Sequence, residues 1–138
     1  MPHDVNIRIE SKQDNGMEKT ELKQTKQGEI YNKNGTLYLR YEEDLLDLKG
    51  VKTVLKIKQD SLTLIRRGDI SSIQCFIPGK KTEFDYQTPY GKFKFKLEVK
   101  RFDIEAKLAQ GKIDLVYTLY NQGQNIGDNR LSLSYKGV

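Results

Sequence analysis

Gly91-Lys92-Phe93-Lys94-Phe95-Lys96-Leu97-Glu98-Val99-Lys100 is the stretch that decides the fold. Phe93, Phe95, Leu97 and Val99 alternate with Lys92, Lys94, Lys96, Glu98 and Lys100. Two is the side-chain period of an extended strand, whereas a helix brings apolar residues round every three or four positions. The segment is therefore a strand with one face in a core and the other in water. Phe102, Ile104, Ala106 and Leu108 continue the apolar face beyond an expected bend near Arg101.

The same pattern extends in both directions. Downstream, Gln110-Gly111 reads as a turn into Ile113, Leu115, Tyr117 and Leu119. Residues 121–125 turn again before Leu131, Leu133 and Tyr135. Upstream, Pro89-Tyr90-Gly91, Pro78-Gly79-Lys80, Arg67-Gly68-Asp69 and Gln59-Asp60 separate the segments Thr82–Thr88, Ile70–Ile77, Ser61–Arg67 and Val51–Lys58. Asn34-Gly35 and Asn15-Gly16 each fit a type I′ hairpin turn. Val5, Ile7 and Ile9 give the first strand one buried face. Residues 17–27 are polar, with Met17 and Leu22 as anchors, and read as an exposed, weakly specified strand, with a bend expected at Gly28. Residues 44–50 fit either one helical turn ending at Gly50 or a loop.

Turn signals about every 8–12 residues predict about nine or ten antiparallel strands in one domain spanning residues 1–138. An open sheet of that size has two long edges and a bare apolar face, so closure into a barrel is expected. The fold class is all-β, a single meander barrel.

With 138 residues, such a domain can bury about two-thirds of its unfolded surface. No stretch is long and apolar enough for a membrane span, and Met1-Pro2-His3-Asp4 is no signal peptide. Cys75 is the one cysteine and cannot form an internal disulfide, which points to the cytoplasm. The net charge of +5 and pI of about 9.2 come from lysines spread along the chain, which suit the wet faces of strands better than one nucleic-acid arm.

The chemistry available is narrow. His3 is the single histidine and sits at a terminus, so Ser-His-Asp and Cys-His catalysis have no base. No P-loop, Gly-x-Gly-x-x-Gly turn or set of zinc ligands is present. No cofactor, metal site or catalytic residue is predicted, and an enzyme is not the expected class. In Glu42-Glu43-Asp44 the two glutamates face opposite ways on a strand and cannot act together on one substrate.

Arg66 shares a strand face with Leu62 and Leu64. If those leucines point inward, so does Arg66, and an arginine inside a barrel needs a partner. That partner is either Glu43, on the face of Leu37, Leu39 and Tyr41, or the acid group of a ligand in a bidentate grip. The alternative is a rim position, with the guanidinium in water. Tyr41, Tyr86, Tyr117 and Tyr135 fall on the expected inner face, and each buried hydroxyl needs a partner. The alternative is a filled barrel, its hydroxyls bonded to backbone groups, that acts through the outward Lys92, Lys94 and Lys96 beside Tyr90 as a surface for protein or nucleic acid, although the phenylalanines of that strand face the other way.

The segments Gly28-Glu29-Ile30-Tyr31, Tyr38-Leu39-Arg40-Tyr41-Glu42-Glu43 and Leu64-Ile65-Arg66-Arg67-Gly68 resemble the YwiB-like family of small uncharacterised bacterial proteins. So do Tyr86-Gln87-Thr88-Pro89-Tyr90-Gly91, Ile113-Asp114-Leu115-Val116-Tyr117 and Ile126-Gly127. The resemblance spans most of residues 28–135. It implies a calycin-like barrel, of the lipocalin and fatty-acid-binding type, in the cytoplasm, and no established activity. The chain has no tryptophan, so the Gly-x-Trp signature of true lipocalins is missing. The combined expectation is a monomeric or homodimeric binding protein for a small, largely apolar molecule with an anionic end, held inside the barrel by Arg66.

Overall fold

The computed structural model describes residues 2–45 and 48–138. Among these residues there are ten strands and no helix. They are β1 (His3–Asp14), β2 (Lys19–Lys33), β3 (Thr36–Leu45), β4 (Leu48–Ile57), β5 (Leu62–Arg67), β6 (Ser71–Phe76), β7 (Lys81–Thr88), β8 (Gly91–Ala106), β9 (Gln110–Asn121) and β10 (Gln124–Gly137). Each pairs antiparallel with its neighbours in sequence, and β1 pairs with β10, so the meander closes into a barrel.

Inner-face residues follow the two-residue period. Ile7, Ile30, Leu39, Leu55, Leu62, Leu64, Phe76, Leu97, Ile113 and Leu115 are each no more than 2% exposed. Burying a side chain of this size stabilises by about 1.5–3 kcal/mol, and together these residues form the single core that holds the wall closed. The outer face carries most of the charges, including Glu83 and Asp85 of β7 opposite Lys96 and Lys94 of β8. Apolar inside and charged outside is the reverse of a membrane-spanning barrel.

Several local expectations change. Asn34-Gly35 is a type I′ turn, with φ of 53° and 82°. Asn15-Gly16 is not: only Gly16 has positive φ, and the link runs over four residues from Asp14 to Lys19. There the Asn15 Oδ1 accepts the amides of Met17 and Glu18 at 3.0 and 2.7 Å, which a two-residue turn cannot provide. Met17 is no anchor; it is 94% exposed in that link. The positive φ angles of Gln122 and Gly123 make a second type I′ turn without an asparagine.

The bend expected near Arg101 is a bulge at Lys100, where the β8–β9 register shifts between Val99 and Arg101. One unpaired residue restores Phe102 to the inner face. Leu108 does not continue that face; it is exposed in the link before β9. Gln110-Gly111 is strand rather than turn, and the turn is closed by the Lys107 amide donating to the Gln110 carbonyl at 3.0 Å. Gly28 does not bend the chain. It is a mid-strand residue where a Cβ would meet the Arg40 carbonyl oxygen and come within 2.7 Å of Ile7 Cδ1. The helical turn or loop considered for residues 44–50 is replaced by the ends of β3 and β4, with 46–47 outside the described residues.

Candidate functional site

The ladder registers sort the interior into levels. One level runs Ile30, Leu39, Leu55 and Leu64, paired in turn from β2 to β5. The level beside it runs Gly28, Tyr41, Thr53, Arg66, Ser72, Tyr86 and Phe93, each paired with the next from β2 to β8. The first is apolar, while the second concentrates polar groups in one row.

Arg66 lies inside, and Glu43 is its partner. Arg66 Nε donates to Glu43 Oε1 at 2.6 Å, and Thr53 Oγ1 donates to the same oxygen at 2.8 Å. The Arg66 side chain keeps 16% exposure against 4% for Glu43, so the guanidinium reaches toward accessible space while the carboxylate is enclosed. Its two terminal nitrogens have no hydrogen-bond partner among the described residues. Burial works to lower the guanidinium pKa, but Glu43 outweighs it and the net shift is upward, so Arg66 stays charged.

Tyr41, Tyr86 and Tyr117 gather around this pair. Burial raises the pKa of all three, and each also feels the charges of Arg66 and Glu43. None of their hydroxyls has a hydrogen-bond partner among the described residues, whereas the hydroxyl of Tyr135 does. Tyr135 also faces inward, but across Gly111 of β9, and it donates to the Lys107 carbonyl at 2.6 Å. It is therefore separate from the cluster, and its hydroxyl is already used.

Four polar members of the interior went unread in the sequence: Thr53, Ser72, Gln74 and Asn129, all buried. Their signal was parity, since Thr53 falls in step with Val51 and Leu55, Ser72 and Gln74 with Phe76, and Asn129 with Leu131. The Ser72 Oγ and Gln74 Oε1 are buried with no partner among the described residues. Such groups cost free energy unless something satisfies them.

The wall is weakest beside them. Ser71↔Gln87 and Ser72↔Tyr86 are the described β6–β7 pairs, after which Thr82 Oγ1 bridges to the Cys75 carbonyl at 2.6 Å. A groove of about 550 Å³ follows this seam, bordered by Arg66, Ser72 and Phe84 and by outward-facing Ile73, Glu83 and Asp85. At the far side of the row, Phe93 is 44% exposed, and its ring stacks on Phe95 at 6.2 Å. Near the register shift that follows Glu43, Lys26 Nζ bonds Asp44 Oδ2 at 2.7 Å, both side chains partly exposed.

The lysine stripe lies outward as expected, but not alone. Lys92 and Lys94 pair with Asp85 and Glu83 at 3.5 and 3.3 Å, so acids of β7 offset its charge.

A family model described as a domain of unknown function (DUF1934) matches residues 7–133. The uncharacterized beta-barrel protein YwiB of Bacillus subtilis (strain 168) is 24% identical over 136 residues, covering 99% of this chain and 94% of that protein. The crystal structure of the ywiB protein from Bacillus subtilis superposes with a TM-score of 0.89 at 21% identity, covering 99% and 93% of the two chains. The ten-stranded closed meander is thus a shared fold, and the resemblance carried by short motifs holds along the whole chain.

Proposed function

The chain belongs to the DUF1934 family of barrel proteins, and on that premise we propose that it is a non-enzymatic binding protein. Its ligand is one small molecule with an apolar body and an anionic end, gripped by Arg66 at the polar row. The observation that carries this reading is the state of Arg66: one N–H is spent on Glu43, and the terminal nitrogens have no described partner. A guanidinium fork engages a carboxylate through two parallel N–H bonds. Tyr41, Tyr86, Tyr117 and Ser72 supply further hydroxyls, and Phe93 and Phe95 offer apolar surface. Lipocalin-type barrels put their interior to the same use. A single cysteine, unable to form an internal disulfide, is compatible with a cytoplasmic carrier.

A role through the basic outer face has less support, because Glu83 and Asp85 neutralise part of the Lys92–Lys96 stripe.

Native mass spectrometry of gently purified protein tests the proposal and reports monomer or dimer in the same spectrum. An added mass in the wild type that is lost on denaturation, and lost from folded Arg66→Leu, is expected. Arg66→Leu that gains thermal stability and keeps the same added mass, or a wild type that carries none, overturns the anchor.

A further inference from the structure

We infer that the head group bound at Arg66 is a zwitterion, with a carboxylate on the guanidinium fork and an ammonium on Glu43 and its neighbours, as in an α-amino acid with an apolar or aromatic side chain. This rests on the reading of the polar row as a binding site and gives that site its ligand class.

The first argument is charge balance. Among the described residues, the enclosed ion pair of this row is Arg66 with Glu43, at 2.6 Å, and the partly exposed Lys26 pairs with Asp44 at 2.7 Å. Each cation already has its anion. A bare carboxylate bound there would leave one uncompensated negative charge in a low-dielectric setting, which is costly. A zwitterion adds no net charge.

The second argument is the kind of polar atom left over. Glu43 Oε1 accepts from both Arg66 and Thr53, and Oε2 has no hydrogen bond among the described residues. An ionised carboxylate has about four acceptor positions, so Glu43 still has capacity for a donor. Gln74 Oε1, one inward-facing position along β6 from Ser72, is a buried acceptor without a partner. Acceptors need N–H or O–H donors, and a carboxylate has none to give. An ammonium carries three. The Arg66 terminal nitrogens and Ser72 Oγ, conversely, are donors that suit the carboxylate.

The third argument sets the side chain. The row ends on Tyr86 and Phe93, and Phe95 lies 6.1 Å from Tyr86 and 5.7 Å from Phe84, ring centre to ring centre. These rings suit an aromatic or branched apolar side chain.

The test compares three probes sharing one phenyl body: L-phenylalanine, 3-phenylpropanoate and phenethylamine. Binding is followed by titration calorimetry and by the amide NMR signals of Tyr41, Glu43, Arg66, Ser72 and Tyr86. For the wild type, L-phenylalanine should bind at least about tenfold more tightly than either single-charge probe, the loss of one charge-assisted hydrogen bond. In Glu43→Gln the site gains one positive charge, and the order should reverse in favour of 3-phenylpropanoate. If the wild type takes 3-phenylpropanoate as tightly as L-phenylalanine, and Arg66→Leu loses both, the zwitterion is wrong while Arg66 remains the anchor. If no probe shifts those signals at millimolar concentration, the amino-acid class is wrong, and the native spectrum above judges the anchor separately. Glu43→Gln need not fold well for the inference to fail, since the wild-type ranking alone can overturn it.

Discussion

Thr53 and Arg66, register partners on neighbouring strands, donate to the same oxygen, Oε1 of Glu43. The carboxylate thereby ties β3, β4 and β5 together inside the barrel, and it orients the guanidinium so that one edge is held and the other presented.

Removing one partner should cost more than removing both. Glu43→Gln is expected to lose roughly 2–4 kcal/mol in urea unfolding, because it leaves Arg66 enclosed without its counter-charge. Replacing both, as Glu43→Leu with Arg66→Leu, should recover much of that loss. A double variant as unstable as the sum of the singles would show that the pair is not coupled.

Gly28 holds its place by space rather than by flexibility. Gly28→Ala would drive a Cβ against the Arg40 carbonyl oxygen, Ile7 Cδ1 and Tyr41 Cβ, two of them backbone-fixed. Overpacking of this kind costs about 1–3 kcal/mol. Denaturant midpoints should fall accordingly, and amide exchange should speed up at the Gly28–Tyr41 pairing first. An unchanged midpoint contradicts this packing.

High pH should unfold the protein through its tyrosines. Burial raises the pKa of Tyr41, Tyr86 and Tyr117, and pushes Tyr135 from 10.0 up to about 12. The folded state holds these phenolic protons more tightly than the unfolded chain does. Their contribution to stability is therefore complete below the unfolded value of 10.0 and is lost as pH rises through the folded values. Tyrosinate absorbance and far-ultraviolet circular dichroism should then share one steep transition above the ordinary tyrosine range. Tyr135→Phe, which also gives up the bond to Lys107, should cost about 1 kcal/mol at neutral pH.

The outward lysines should prove energetically quiet. Lys94→Ala breaks an exposed pair with Glu83 and should change stability by less than about 1 kcal/mol. Single-stranded DNA should show no binding at physiological salt. Tight binding that weakens steeply as salt rises would instead return the Lys92, Lys94 and Lys96 face to consideration.

Much of this architecture was legible residue by residue. Strict alternation in residues 92–100 gave the strand and its inner face, and parity put Glu43, Tyr41, Tyr86, Tyr117 and Tyr135 on the inner face and Glu42 on the outer; for Arg66 it left interior and rim open, and the bond to Glu43 decides it. Turn chemistry was legible at Asn34-Gly35, because these two residues accept the positive φ that a type I′ turn requires. It misled at Asn15-Gly16, because the Asn15 side chain found backbone donors of its own and stabilised a longer link.

What the chain determined by itself was the face each residue takes, because a two-residue period follows from the geometry of an extended backbone. What only the tertiary structure decided was the level each residue occupies. Strand stagger and the bulge at Lys100 slide neighbouring strands along one another, and that sliding brings Tyr41, Glu43, Thr53, Arg66, Ser72, Tyr86 and Tyr117 together while sending Tyr135 to Lys107. Register depends on ladder hydrogen bonds and core packing summed over the whole closed wall, so no local stretch of sequence carries it.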